Sequence, residues 1–213
     1  MDLIGLKNKL NFEPRTILDI GANAGWWYGK AKEAWPDSFI WMIEGNPHCE
    51  KQLKEIDENV TIALLSDTEK DIEFYTLKED LTTTGASYFK ENTNIYEDKN
   101  NVLVEKLKTK RLDDLFEEDT VFDLIKLDTQ GSEIDIMRGG INLLKKSQLV
   151  IVEADMGQIS YNKGAPRKED VVKFMKENNF EHIGIVDFLM FEHPDGRTER
   201  IQEDLVFINK EYV

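Results

Sequence analysis

The sequence predicts an α/β fold, a mostly parallel sheet with helices on both faces. Three observations carry this expectation. Short apolar runs recur along the chain and alternate with helix-like stretches, which is the pattern of repeated strand–helix–strand units. The first run, 16–20, carries Asp19 near its end and passes into a turn with two glycines, Gly21 and Gly25. The second run ends in Glu44, 19 residues after Gly25. A chain of 213 residues is long enough for one domain with a sizeable core.

The elements follow in order. Residues 1–13 read as a short helix or arm with Leu3, Ile4, Leu6 and Leu10 apolar. Strand one spans 16–20. A helix runs from near Gly25 to Trp35, where Pro36 stops it. Strand two spans 38–43. Asn46 then caps a helix that Pro47 opens and that ends near Ile56. Strand three spans 60–65. The region 66–121 departs from the alternation. It holds strand-like pieces at 72–75 and 102–104, with a small polar run from Thr82 to Ser87 between them. This β-rich insertion is the expected place for a lid or for substrate recognition. Strand four, 121–127, ends at Asp128, and the turn 129–132 leads into one helix to Leu144. Strand five, 148–152, ends in Glu153 and Asp155. An amphipathic helix over 167–178 turns Val171, Val172, Phe174 and Met175 inward. Two closing strands, near 182–186 and 205–208, flank a turn signal at Pro194, Asp195 and Gly196. No repeat or linker divides 1–213, so one domain is expected.

Composition narrows the function. Forty per cent of residues are hydrophobic and 32% charged, as in ordinary globular proteins. Forty-two acids against 27 bases leave a net charge of −15. That sign disfavours a nonspecific nucleic-acid binder, whose affinity comes from Lys and Arg on phosphates. Cys49 is the single cysteine, so an intrachain disulfide is excluded and a reducing, cytoplasmic setting is expected. No run of about 18 apolar residues suggests a membrane span.

A glycine turn between strand and helix lets a ligand approach the backbone, and an acid at the tip of the next strand can accept both ribose hydroxyls. The pair therefore points to an adenosine-containing cofactor. The dinucleotide fingerprint is broken, since Asn23 and Trp26 stand at its second and third glycine positions. No Gly-Lys-Ser/Thr phosphate loop occurs. The stretch Asp19 to Gly25 instead resembles the first motif of the S-adenosylmethionine (SAM) methyltransferases. That resemblance puts the acid and the turn backbone at the methionine end of the cofactor.

The second half sharpens the resemblance. Ile125-Lys126-Leu127-Asp128-Thr129-Gln130-Gly131-Ser132-Glu133, followed by Met137-Arg138-Gly139-Gly140, is similar to the most recognisable motif of the FkbM-type methyltransferases. Gln202 to Phe207 resembles that family's last strand, and Tyr161 to Pro166 sits at a family-like position. The resemblance covers about 16–209. It implies a Rossmann-like class I SAM-dependent methyltransferase with seven strands in the order 3-2-1-4-5-7-6 and strand seven antiparallel. It also implies methylation of hydroxyl oxygens, often on sugars. Two departures stand out. Trp26, Trp27 and Tyr28 are bulky for positions after the glycine turn, and at least one is expected to pack in the core. Gln130 replaces a frequent acid, so no essential charge is assigned there.

The expected cofactor-binding set is Asp19, Gly21, Ala22, Asn23, Gly25, Glu44, Ser66, Asp67 and Asp128. Methyl transfer to an alcohol needs a place for its proton, and Asp128 and Glu153 are the expected catalytic residues. Glu133 at a helix start is favoured there by the helix dipole alone. His48, His182 and His193 show no ligand spacing, and no metal is assigned. No Gly-x-Ser-x-Gly elbow offers a nucleophile. Two other classes remain open: a noncatalytic SAM-binding protein retaining the fold, and an NAD-dependent oxidoreductase. The latter would want Tyr-x-x-x-Lys, but Ala165 stands four residues after Tyr161. The expected partner is a saccharide or small polar molecule, with neither nucleic acid nor membrane.

Overall fold

The computed structural model describes residues 1–156, 161–192 and 196–212. Its main sheet is built from β1 (Thr16–Ile20), β2 (Phe39–Glu44), β3 (Val60–Ile62), β6 (Leu124–Leu127), β7 (Leu149–Asp155), β8 (Phe180–Glu192) and β9 (Thr198–Asn209). The order across it is β3-β2-β1-β6-β7-β9-β8. Counting only these strands, that is the expected 3-2-1-4-5-7-6. The last strand runs antiparallel to both neighbours. A separate antiparallel pair, β4 (Asp71–Leu77) with β5 (Val102–Lys108), and the short α4 (Asn94–Glu97) between them form the β-rich insertion.

Side-chain alternation along the strands makes two cores. Leu18, Ile125, Val150 and Val152 face one side, packed with Ile134 and Met137 of α5 (Glu133–Gly139), Leu144 of α6 (Ile141–Leu144) and Met175 of α7 (Lys168–Glu177). Ile17, Leu124, Leu149 and Ile151 face the other, packed with Leu6 of α1 (Leu3–Leu10), Trp27 and Ala31 of α2 (Trp26–Ala34) and Leu53 of α3 (Glu50–Ile56). Burial on both faces explains why the central strands read as unbroken apolar runs.

Several boundaries differ from the expected ones. The third strand stops at Ile62 because the chain leaves β2 and engages the insertion, where Lys110 N donates to Leu64 O. The fourth starts at Leu124, since the Asp123 side chain is occupied in clasping the Arg15 and Thr16 amides. The single helix expected to reach Leu144 divides at Gly140, where a side chain would meet Leu112 at 2.5 Å. β7 runs on from Val152 through Glu153 to Asp155, because β9 continues pairing alongside them. The closing strands are far longer than expected. Pro194, Asp195 and His193 lie outside the described residues.

Candidate functional site

The sheet register decides which charged groups meet. Asp19 on β1 lies opposite Lys126 on β6, and Glu153 on β7 lies opposite Asp204 on β9. Asp128 follows Lys126 by two residues, so strand periodicity brings it to the same side. The Lys126 side chain is 3% exposed, with Nζ 3.0 Å from Asp128 Oδ2 and 3.7 Å from Asp19 Oδ1. It also lies 5.8 Å from the Trp27 ring centroid. Burial alone would favour a neutral amine, but Asp128, Asp19 and Asp204 outweigh it and raise the Lys126 pKa.

The surrounding acids divide by partner. Burial pushes Asp19 up to about 6 against the pull of Lys126, and neither of its oxygens has a hydrogen-bond partner among the described residues. Burial also opposes ionisation of Asp128, yet the Lys126 charge and hydrogen bonds from Lys126 and Gln130 hold its pKa below the usual range. Glu153 goes the other way. Burial, then Asp128, Glu133 and Asp204, push it well above the carboxylate range. Burial and Asp128 raise Asp204 to about 6.

Across the cleft, Glu44 is held by the backbone. Its Oε2 accepts from Asn23 N and its Oε1 from Asn46 N, each at 2.7 Å. The bond to Asn23 fixes a turn in which Gly21, Asn23 and Gly25 all have positive φ. The polar run of the insertion lies over this turn. Asn23 Nδ2 donates to Thr82 O at 2.9 Å, and Asn46 Nδ2 to Leu81 O at 2.7 Å. Ser87 pairs with Tyr75 of β4, and its Oγ donates to Gln130 O at 3.0 Å. The insertion thus spans both halves of the sheet mouth.

Two cavities result. The first, about 260 Å³, is lined by Gly21, Ala22, Asn23, Glu44 and Asp128, with an apolar wall that includes Ala63, Leu64, Leu65 and Ile136. The second, about 400 Å³, shares Asp128, Gln130 and Asp204 with the first and adds Glu153, Tyr161, Gln202 and Phe188. Five of the nine expected cofactor residues therefore line one space. Four do not. Asp19 lies fully buried within 3.7 Å of Lys126. Gly25 abuts Ile56, which a Cβ would meet at 2.4 Å. The Ser66 carbonyl packs against Gly139, and Asp67 pairs with Lys70 at 2.9 Å. Of the aromatic trio, Trp27 is buried and Trp26 is 78% exposed at the rim. Tyr28 bonds Asp57. Glu133 Oε1 accepts from Thr129 N, Thr129 Oγ1 and Gly131 N, which makes it a turn lock.

Sequence reasoning left Lys126 and Asp204 out of the site. For Lys126 the signal was present, a charge set inside an apolar strand that needs a partner when buried, whereas Asp204 follows Gln202 and Glu203 in a polar stretch and does not stand out.

Comparison with known proteins decides the family. The methyltransferase FkbM domain matches residues 19–182. The chain belongs to that family. Among solved structures, an FkbM methyltransferase from Methylobacillus flagellatus is similar, with TM-score 0.52 and 13% identity over 96% of this chain. This chain spans 48% of that protein's length, about half. A presumptive RNA methyltransferase from Pyrococcus horikoshii has TM-score 0.51 and 14% identity, covering 97% of this chain and 79% of its own. A presumptive O-methyltransferase from Klebsiella pneumoniae has TM-score 0.50 and 16% identity, covering 97% and 78%. These likenesses show the shared fold. No curated protein matches the sequence. Among the described residues, no helix is long and apolar enough to cross a membrane.

Proposed function

We propose that this chain transfers the methyl group of SAM to a hydroxyl oxygen of a saccharide or another small polar molecule. Residues 1–213 act as one methyltransferase domain in the cytoplasm. The observation that carries this reading is the join between the two cavities, where Asp128 faces both. A carboxylate at that join can take part in cofactor binding and still reach an acceptor.

The first cavity suits the cofactor. Ala63, Leu64, Leu65 and Ile136 form an apolar wall for adenine. Each Glu44 oxygen accepts one amide hydrogen and keeps a second lone pair for a ribose hydroxyl. Gly21, Ala22 and Asn23 line the methionine end, with Asp19 and Gly25 supporting the turn. SAM supplies a methyl group already activated on a cationic sulfur. The chain's task is alignment, which can supply much of the acceleration in a displacement. The segment from Thr82 to Ser87 helps exclude water from above.

In the second cavity, Asp128 accepts the acceptor's hydroxyl proton. Its lowered pKa keeps it ionised at neutral pH. Glu153, held protonated, lines the acceptor side of this cavity beside Asp128. Tyr161, Gln130 and Gln202 offer further donors and acceptors, while Phe188 and Leu189 give an apolar surface for a ring. No Lys or Arg lines this cavity among the described residues. Together with the net charge of −15, this argues against a phosphate-bearing acceptor such as RNA.

The test is methyl incorporation from labelled SAM over a panel of saccharides, small alcohols and RNA. Incorporation into a saccharide or alcohol is expected. Incorporation into RNA alone would overturn the acceptor class. Tight SAM binding with no turnover on any acceptor would favour the noncatalytic reading.

A further inference from the structure

We propose that Gln130 is a positioning residue that ties Asp128 and Glu153 into one pair sharing a single proton. The inference rests on the reading of Asp128 as the base for methyl transfer. Gln130 Nε2 lies 3.1 Å from Asp128 Oδ1 and 3.0 Å from Glu153 Oε2. A side-chain amide nitrogen carries two hydrogens, one for each carboxyl. Gln130 Oε1 faces Gln202 Nε2 at 3.5 Å, which orients the amide with its nitrogen toward the acids.

The backbone aims this side chain. Gln130 has φ +54 and Gly131 has φ +104. Glu133 holds the turn from within, and Ser87 Oγ donates to the Gln130 carbonyl. Two carboxylates held on one amide nitrogen repel each other, and a single proton between them removes one of the two charges.

The neighbours decide where the proton rests. Asp128 has the Lys126 ammonium at 3.0 Å. Glu153 has no ion pair among the described residues and sits opposite Asp204, with Glu133 and Tyr161 also facing it. Asp19 lies on the far side of Lys126 and competes for its charge. The proton therefore belongs on Glu153, and Asp128 stays ionised toward the acceptor. A glutamate at position 130 would turn both donors into acceptors and add a third carboxylate to the pair.

The test uses the SAM-free protein and infrared difference spectra over a pH series. At pH 7.5, above the values of about 6 for Asp19 and Asp204, wild type should show a protonated-carboxyl band that Glu153→Gln lacks. Gln130→Glu and Gln130→Leu should each move the titration midpoint of that band by about one pH unit or more. Should one of the two fail to fold, the other carries the comparison. In turnover, Gln130→Glu should displace the acidic limb of the kcat profile. No band in the wild type minus Glu153→Gln difference would overturn the proposal, as would an unmoved midpoint in a folded Gln130 variant. No acceptor enters the infrared titration. Failure to find a saccharide substrate leaves this inference standing, and an absent band leaves the acceptor class untouched.

Discussion

The two halves of the sheet mouth hold their acids in different ways. On the β1–β2 side, Glu44 has both oxygens bound by backbone amides, at Asn23 and Asn46. On the β6–β7–β9 side, Asp128, Glu153 and Asp204 gather around one buried lysine, and Asp128 and Glu153 are bridged by a side-chain amide. Burial raises the Glu44 pKa, and the Asn46 and Asn23 amides pull against it; these donors are fixed by the fold and do not titrate. Side-chain partners leave the second half with more negative charge than its one lysine neutralises, and protonation relieves the excess. Under the proposed function, the first arrangement suits holding a ligand and the second suits handling a proton.

The comparison breaks most visibly at the turn both halves share. A Cβ at Gly21 would sit 1.8 Å from the Asp128 carbonyl oxygen, at a φ of +83. Gly21→Ala should cost about 3–4 kcal/mol of folding stability, read by denaturant unfolding. A loss under about 1 kcal/mol would mean that the two turns move apart freely.

A smaller effect is expected at Glu44. Glu44→Ala should weaken SAM binding by about 2–4 kcal/mol in isothermal titration, since charge-assisted bonds to the ribose and the lock on Asn23 go together. Unchanged affinity in a folded variant would remove Glu44 from the cofactor site.

Third comes the pH dependence of stability. Asp19 is raised from 3.8 to about 6 in the folded chain. The folded state therefore binds more protons between these values. This contribution is present below about pH 4 and is lost as pH rises through about 6, on the order of 2–3 kcal/mol. Asp19→Asn should flatten that slope in unfolding curves between pH 4 and 7. An unchanged slope would show that Lys126 keeps Asp19 ionised throughout.

The cofactor half was the more legible in sequence, because its signal is local. A glycine turn and an acid at the next strand end lie close together in the chain, and strand alternation fixes their geometry. The strand order came from family resemblance, since periodicity yields the parallel class without the order. The proton-handling half was legible at Asp128 and Glu153 but not as a network. Lys126 and Asp204 belong to strands separated by β7, and no short-range pattern shows which residues a sheet register sets opposite each other. Gln130 was set aside for lacking a charge, although its value lies in two N–H donors. Ser66 and Asp67 were expected just after a strand reaching 65, but β3 ends at Ile62 and the chain carries Ser66 against Gly139 of α5.

The central claim is that Asp128 works in the chemical step beyond any contact with the cofactor. The direct test is Asp128→Asn with the identified acceptor, measuring single-turnover methyl transfer beside the SAM dissociation constant and the thermal midpoint. A rate loss of about 100-fold or more is expected, with SAM affinity changed less than about tenfold and folding nearly intact. Near-normal turnover, or a rate loss matched by an equal loss of SAM binding, would contradict it.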